Sequence, residues 1–160
     1  MSSIRVLLVD DHEVIRQGLC ALLSTEGDME VIGEASDGMS GVEQARALRP
    51  DVVLMDLSMP RMDGVEATRR ISAELADVRV IGLSMYEQSD RQCAMTAAGA
   101  AAYLTKSGPS ATLLQTIRSV ARLTSTAEGP RRRSAGPARA TDPAREAAPG
   151  YRSGPRASGR

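Results

Sequence analysis

The amino-acid sequence predicts an α/β fold in which a parallel sheet carries helices on both faces. Short apolar runs rich in β-branched residues alternate five times with segments of helical periodicity. The apolar runs show no regular polar alternation, as expected of strands that are buried on both faces. All of these segments lie within residues 1–123, a length sufficient for one domain.

The first two strand–helix units fill the first fifty residues. Ile4–Val9 predicts a buried strand, and Met29–Ala35 predicts the second. The turn signal at residues 36–38 precedes a helix that Pro50 ends. The helix between the two strands is predicted by apolar residues three and four positions apart: Val14, Ile15, Gly18, Leu19, Leu22 and Leu23.

Three further units follow the same pattern. Residues 51–56, Arg79–Ser84 and residues 100–105 predict the third, fourth and fifth strands. A less apolar helix covers roughly residues 87–98. The other two helices are predicted by stripes on one face, one with Val65, Thr68, Ile71 and Leu75 after Gly64, and one with Leu113, Leu114, Ile117 and Val120.

Right-handed crossovers leave few ways to order five parallel strands. A chain of this size favours the flavodoxin-like order 2-1-3-4-5, doubly wound with helices on both faces. In such sheets the functional site lies at the carboxyl ends of the strands, near the point where the strand order reverses. The residues that follow each strand are therefore the candidates for chemistry.

Three carboxylates, a hydroxyl and an ammonium occupy those positions. Asp10 and Asp11 follow the first strand, Asp56 ends the third, Ser84 ends the fourth and Lys106 follows the fifth. Crowded carboxylates repel one another and need a cation, and oxygen ligands suit Mg²⁺. Such a site suits a phosphoryl group carried by a carboxylate, with Asp56 as the best nucleophile because a loop follows its central strand.

Plainer interpretations exist for several of these residues. Asp10 or Asp11 alone is also a common helix N-cap, and a single lysine is usually a solvated surface charge. Lys106, however, is the one lysine beside 19 arginines, which indicates that an ammonium is required at that position. His12, the one histidine, is interpreted as a helix-start residue rather than a catalytic base.

The motifs VLLVDDH, DVVLMDLSMPRMDG, VIGLSMY and AAYLTKSGP carry a family resemblance. Across residues 4–122 the chain resembles the receiver domain of bacterial two-component response regulators, closest to the NarL/FixJ subfamily. The resemblance implies that Asp56 is the phosphoacceptor and that Asp10, Asp11, Asp56 and the backbone carbonyl of Ser58 hold Mg²⁺. It also implies a phosphoryl-stabilising role for Lys106.

The same resemblance implies a conformational switch. Ser84 would be the switch hydroxyl and Tyr103 the switch aromatic, which together alter the face made by the fourth helix, fifth strand and last helix. Ser58 and Tyr86 flank the site and would tune the lifetime of the acyl phosphate, although Tyr86 also reads as simple packing. Many relatives have a cis Lys–Pro bond after this lysine, whereas this chain has Ser107 there, so a cis bond is not indicated.

The implied partners are a sensor histidine kinase, a second copy of the chain on phosphorylation, and an output protein that the sequence does not identify. The protein would then be a signalling phosphoacceptor, not an enzyme acting on other substrates. Cys20 and Cys93 do not make a disulfide framework. With no membrane-length apolar run and no signal peptide pattern, a cytoplasmic location is expected.

The zero net charge of the chain is a cancellation between two regions. Residues 1–123 carry 12 basic and 17 acidic side chains, whereas residues 124–160 carry 8 basic and 3 acidic. The second region contains Tyr151 as its one large apolar side chain and predicts a disordered tail rich in Gly, Pro, Ala and Arg. Whether that tail is functional, a linker or a frame-shifted remnant is left open.

No apolar periodicity after Leu123 supports a helix-turn-helix, so sequence-specific DNA binding is not expected from this chain alone. A truncated NarL/FixJ-type DNA-binding regulator is the alternative function. An aspartyl-phosphate phosphohydrolase is disfavoured, because those enzymes need an acid two residues after the nucleophile and Ser58 stands there.

Overall fold

The computed structural model describes residues 3–127 and contains five parallel strands in the order β2-β1-β3-β4-β5. The predicted α/β class, strand order and alternation of elements are confirmed. The strands are β1 (Ile4–Val9), β2 (Met29–Ala35), β3 (Val52–Asp56), β4 (Arg79–Ser84) and β5 (Ala102–Thr105). The helices are α1 (Glu13–Ser24), α2 (Gly38–Leu48), α3 (Gly64–Glu74), α4 (Ser89–Ala98) and α5 (Ser110–Ala127).

Some element ends differ from the sequence prediction. Helix α4 ends where Gly99 adopts a φ of 107°, and the chain then needs two more residues before pairing of β5 with β4 begins at Ala102. Helix α5 continues to Ala127, four residues past the boundary drawn from composition. The rest of the predicted tail, residues 128–160, lies outside the described residues, so its disorder remains a prediction.

The sheet separates two apolar layers because successive strand residues point to opposite faces. Leu7, Val9, Val53 and Met55 face one layer, which is completed by α2, α3 and α4. The other layer lies between the sheet and the helices α1 and α5, and its strand residues include Val6, Leu8, Val52, Leu54 and Ile81. Burial on both faces explains why the strand sequences lack polar alternation.

The apolar stripe of α1 is narrower than the spacing predicts. Leu23 is fully buried and Leu19 packs against the core, but Val14 is 80% exposed and Gly18 faces solvent. Val14 lies in the first turn of α1, and none of the elements within residues 3–127 buries it. The sequence periodicity identified the helix correctly and placed these two positions wrongly.

Two glycines allow the loop between β3 and α3 to lie close to its neighbours. A Cβ atom on Gly38 would lie 2.3 Å from the carbonyl oxygen of Met62, and one on Gly64 would lie 2.1 Å from that of Asp56. Either distance is far below a van der Waals contact, so each position requires a residue without a side chain. The loop that follows Asp56 is thereby held against α2 and the end of β3.

Ion pairs also hold helix α5 against the segment that precedes β2. The Arg118 guanidinium lies 2.6 Å from Glu26 and 2.8 Å from Asp28, in the segment between α1 and β2. Within residues 3–127, the structure contains no helix with the length and apolar character needed to cross a membrane.

Two glycine substitutions should have opposite effects on stability. We expect Gly64→Ala to lower the free energy of unfolding by about 1–3 kcal/mol, because the new methyl group displaces the backbone of Asp56 and Leu57. We expect Gly18→Ala to raise it by about 0.5–1 kcal/mol, because nothing lies within 4 Å of the added atom and alanine favours the helix. Urea denaturation measures both, and a Gly64→Ala protein as stable as the wild type would contradict the packing described here.

Candidate metal and phosphoacceptor site

The order of the strands brings four of the predicted residues to one edge of the sheet. Asp10 follows β1, Asp56 ends β3, Ser84 ends β4 and Lys106 follows β5. Asp10 and Asp56 are 2% and 4% exposed, and the side chain of Lys106 is 6% exposed. Three ionisable groups are therefore buried together, and burial of charged groups is unfavourable unless opposite charges lie close together.

Lys106 lies between the two buried aspartates. Its Nζ is 2.6 Å from Oδ2 of Asp10 and 3.1 Å from Oδ1 of Asp56. Its backbone N–H donates to the carbonyl of Ser84 at 2.7 Å, which continues the β4–β5 ladder and fixes where the side chain begins. One buried ammonium thus faces two buried carboxylates, so the three groups together carry net negative charge if both acids are ionised.

The pKa values of the two aspartates shift in opposite directions. Burial alone would raise the pKa of Asp10, but the Lys106 ammonium and the backbone N–H of His12 outweigh it and lower that pKa below its ordinary value. Burial, together with the negative charge of Asp10, raises the pKa of Asp56 to about 6 despite Lys106. Asp56 is therefore the group whose charge is least compensated.

The residues present fit a divalent cation. Among the described residues none donates a hydrogen bond to Oδ2 of Asp56, although that oxygen is buried. One ligand atom from each of Asp10, Asp11, His12 and Asp56 lies within 4.8 Å of the others. A buried carboxylate oxygen without a donor, beside two more carboxylates, is an environment that a hard cation such as Mg²⁺ stabilises.

The first turn of α1 positions the ligands on the exposed side of this cluster. His12 is the N-cap residue of α1, as interpreted from the sequence, so neither Asp10 nor Asp11 has the capping role that was its alternative. The backbone N–H of His12 donates to Oδ1 of Asp10 at 2.9 Å. The Arg16 guanidinium donates to the carbonyl of Asp10 at 2.6 Å. Asp10 is thus held by its backbone and its side chain, while Asp11 is exposed to solvent.

Ser84 and Tyr103 lie beside the cluster on neighbouring strands. The Ser84 hydroxyl accepts a hydrogen bond from the backbone N–H of Tyr86 at 3.4 Å. The partly buried Tyr103 side chain packs against the core, and its hydroxyl donates to the Tyr86 carbonyl at 3.5 Å. Gly82 leaves room for this ring, since a Cβ there would lie 3.1 Å from Cδ2 of Tyr103 and 2.7 Å from Cε of Met95.

Ser58 and Tyr86 lie at the rim of the site. Ser58 is exposed on the loop two residues after Asp56, and Tyr86 is 70% exposed on the segment before α4. This exposure favours a position at the rim over simple packing for Tyr86, and its effect on the lifetime of the acyl phosphate stays a prediction. All described peptide bonds are trans, including the one after Lys106.

Sequence reasoning missed the residues that support the loop after Asp56. Asp37 is the N-cap of α2: its Oδ1 accepts from the N–H of Ser40 at 2.8 Å, and its Oδ2 lies 3.6 Å from the guanidinium of Arg61. Arg61 itself has a φ of 68°, the left-handed conformation that most residues avoid. The Asp-Gly pair at residues 37 and 38 signalled a turn, but nothing in the sequence pairs it with a loop more than twenty residues away.

Because the charge of Asp56 is poorly compensated, we expect Asp56→Asn to stabilise the metal-free protein. An acid whose pKa rises from 3.8 to about 6 on folding loses stability as the pH rises through that interval, since the unfolded chain releases its proton first. The variant should therefore be more stable by about 2–3 kcal/mol near pH 7, and the difference should vanish toward about pH 4.

Denaturation with urea in the presence of a chelator, at several pH values, measures this effect. Asp63→Asn is the matched control, because Asp63 is an exposed N-cap of α3 and asparagine caps equally well. A pH-independent difference between Asp56→Asn and the wild type would contradict the charge balance described above.

Comparison with known proteins agrees with this geometry. The profile of the response regulator receiver domain family matches residues 6–118. The chain is 49% identical over 119 residues to the transcriptional regulatory protein LiaR of Bacillus subtilis, covering 74% of this chain and 56% of that protein. It is 44% identical over 117 residues to the response regulator UvrY of Escherichia coli, covering 73% of this chain and 54% of that protein. The chain thus matches only about half the length of these relatives.

Solved structures show the same fold. The signal receiver domain of the NarL response regulator of Mycobacterium tuberculosis superposes with a TM-score of 0.73 at 30% identity, covering 76% of this chain and 98% of that one. The response regulator domain of Thermotoga maritima CheB superposes with a TM-score of 0.69 at 35% identity, covering 75% and 97%. This chain belongs to the response regulator receiver domain family of two-component signalling systems.

Proposed function

We propose that Asp56 accepts a phosphoryl group from a phosphohistidine of a sensor histidine kinase, with Mg²⁺ bound at the carboxyl edge of the sheet. The observation that carries this proposal is the buried Asp56 carboxylate, which shares Lys106 with Asp10 and has one oxygen without a hydrogen-bond donor among residues 3–127. A carboxylate in this state is poised to form a bond to an electrophile. The membership of the chain in the receiver family supports the same role.

The chemistry follows from the charges. The pKa of Asp56, about 6, leaves its carboxylate mostly ionised at neutral pH and available as a nucleophile. An oxygen of Asp56 attacks the phosphorus, the P–N bond to histidine breaks, and an acyl phosphate forms. The Lys106 ammonium, already 3.1 Å from Asp56, stabilises the negative charge of the transferred group. Hydrolysis of the acyl phosphate resets the protein.

Mg²⁺ would be held by Asp10, Asp11, Asp56 and the backbone carbonyl of Ser58. The three carboxylates supply oxygen ligands of the type that Mg²⁺ prefers, and the remaining ligands would be waters and a phosphate oxygen. When bound, the ion supplies positive charge that offsets repulsion between the phosphoryl group and the aspartates. The close packing of Gly64 on the carbonyl of Asp56 keeps the start of the Ser58 loop near these ligands.

Phosphorylation would then change the face made by α4, β5 and α5. In this structure Ser84 and Tyr103 both bond to the backbone of Tyr86, so a move of Ser84 toward the phosphoryl group would release one of those bonds. Tyr103 would turn inward with it, as the family resemblance implies. The exposed Ser58 and Tyr86 flank the approach to the site and would set the rate at which water hydrolyses the acyl phosphate.

The partners of this function are a sensor kinase, an output protein, and a second copy of the chain on phosphorylation. A homodimer is consistent with the proposed change at a helical face, and a cytoplasmic location is consistent with two free cysteines. LiaR, the relative described above, is a transcriptional regulatory protein, but the matched part of this chain is the receiver.

Incubation with acetyl phosphate and Mg²⁺ tests the phosphoacceptor role directly. We expect the wild type to gain one phosphoryl group that is labile in base, because an acyl phosphate hydrolyses readily there, and we expect Asp56→Asn to gain none. Intact-protein mass spectrometry measures the gain. Asp63→Asn, seven residues along the same loop, should be phosphorylated like the wild type, and equal labelling of Asp56→Asn would refute the assignment.

Lys106→Ala should separate phosphorylation from switching. We expect it to accept phosphate, more slowly, but to leave the amide resonances of α4, β5 and α5 at their unphosphorylated positions, because the ammonium that draws β5 toward the phosphoryl group is gone. Nuclear magnetic resonance of the phosphorylated proteins measures this. Arg69→Ala is the control, since Arg69 is an exposed cation on α3 whose ion pair is with Glu66 of the same helix. Normal switching in Lys106→Ala would show that Lys106 does not transmit the signal.

A further inference from the structure

We propose that the carboxyl-edge site also binds a divalent transition-metal ion of the Zn²⁺ or Co²⁺ type, with His12 Nδ1 as a ligand beside Asp10 and Asp11. This inference rests on the metal site proposed above and extends its ligand set by one nitrogen. His12 is the single histidine of the chain, and it lies at the N-cap of α1 directly after the two aspartates.

The separations of the ligand atoms suit one ion. His12 Nδ1 is 3.2 Å from Oδ1 of Asp10 and 3.1 Å from Oδ1 of Asp11. Two ligands on one ion, with bonds of about 2.0–2.2 Å, are about 3.0 Å apart at right angles and about 3.4 Å apart at the tetrahedral angle, and the observed separations lie between these values. Oδ1 of Asp10 already accepts the backbone N–H of His12 at 2.9 Å, which orients that carboxylate, and a carboxylate oxygen has a second lone pair for a metal.

Asp56 supplies an independent indication that a ligand belongs here. Its side chain is 5% exposed, and its Oδ2 has no donor among the residues that the structure describes. One ligand atom of Asp56 lies within 4.8 Å of those from Asp10, Asp11 and His12. A carboxylate oxygen of the buried Asp56 and a ring nitrogen of the exposed His12 therefore lie near the same space.

The ligand atoms at the site determine which ions bind more tightly when His12 takes part. Mg²⁺ prefers oxygen ligands and gains little from an imidazole, whereas Zn²⁺ and Co²⁺ bind imidazole well. The His12 side chain is 58% exposed, so solvent can deliver an ion to it without opening the core. An ion bound in this way takes the carboxylate oxygens that Mg²⁺ would use, so the two classes of ion compete.

A simpler arrangement has the same distances. If Nδ1 carries a proton, it donates hydrogen bonds to the two carboxylates and has no role as a ligand. The two arrangements differ in what a metal ion does to the imidazole nitrogen, which is an observable that belongs to His12 alone because the chain contains one histidine.

The experiment uses the full chain labelled with ¹⁵N in histidine, titrated separately with MgCl₂ and ZnCl₂. We expect Zn²⁺ to shift the Nδ1 resonance and Mg²⁺ to leave it in place. In uniformly labelled protein the backbone amide of Asp56 reports either ion. Measured by that signal, the affinity of the His12→Asn variant for Zn²⁺ should be at least about tenfold lower than that of the wild type. Its affinity for Mg²⁺ should change by less than about threefold. These local signals exclude interference from Zn²⁺ bound at Cys20 or Cys93.

Two results would overturn the inference, and they differ in what else they affect. If both ions move the Asp56 amide while the Nδ1 resonance stays in place and His12→Asn binds Zn²⁺ as tightly as the wild type, His12 is a hydrogen-bond donor only and the Mg²⁺ site stands. If neither ion moves the Asp56 amide, the metal site of the proposed function fails together with this extension.

Discussion

The contact between Lys106 and the two buried aspartates is the interaction on which the site depends. Its ammonium lies 2.6 Å from Asp10 and 3.1 Å from Asp56, and all three side chains are almost completely buried. The contact spans four neighbouring strands, because Asp10 follows β1, Asp56 ends β3 and Lys106 follows β5. These strand ends lie close together because β1, β3, β4 and β5 are adjacent in that order. The site therefore depends on the strand order.

Sharing one cation between two acids gives the acids different properties. The Asp10 carboxylate contacts the Lys106 ammonium and accepts the N–H of His12, and these contacts lower its pKa. The Arg16 guanidinium holds the Asp10 carbonyl in place. Asp56 has the more distant contact with Lys106, at 3.1 Å, and lies beside the negative charge of Asp10, and its pKa is raised to about 6. The same structural difference suits the two proposed roles, since Asp10 stays charged and in place as a metal ligand, whereas Asp56 must also offer an oxygen to the phosphoryl group. The loop after Asp56 is held by contacts at Gly38 and Gly64 that permit no side chain.

Much of this follows from sequence because the signals are local or topological. The strands are apolar runs, the helices have clear periodicity, and parallel topology sends the residues after each strand to one edge. What could not be derived depends on contacts between distant segments. The Lys106 distances, the Asp37–Arg61 pair and the contact of Gly38 with Met62 all join residues far apart in the chain. Val14 was misplaced because periodicity shows which residues share a face but not where that face ends.

The position of Tyr103 shows how a change at Asp56 would reach the surface. Gly82 lies on β4 between the two, paired with Tyr103 and close to Met95 of α4. The ring therefore occupies a space bounded by β4 and α4 and is bonded at its hydroxyl to the segment before α4. If a phosphoryl group on Asp56 draws Ser84, the hydrogen bond that the Tyr86 N–H donates to Ser84 is released, at that same segment. One short backbone stretch thus connects the acceptor, the hydroxyl and the aromatic ring, and α4 follows directly from it. Of the helices, α4 is the one whose first turn begins within five residues of Ser84, so release of this bond frees the segment that leads directly into α4.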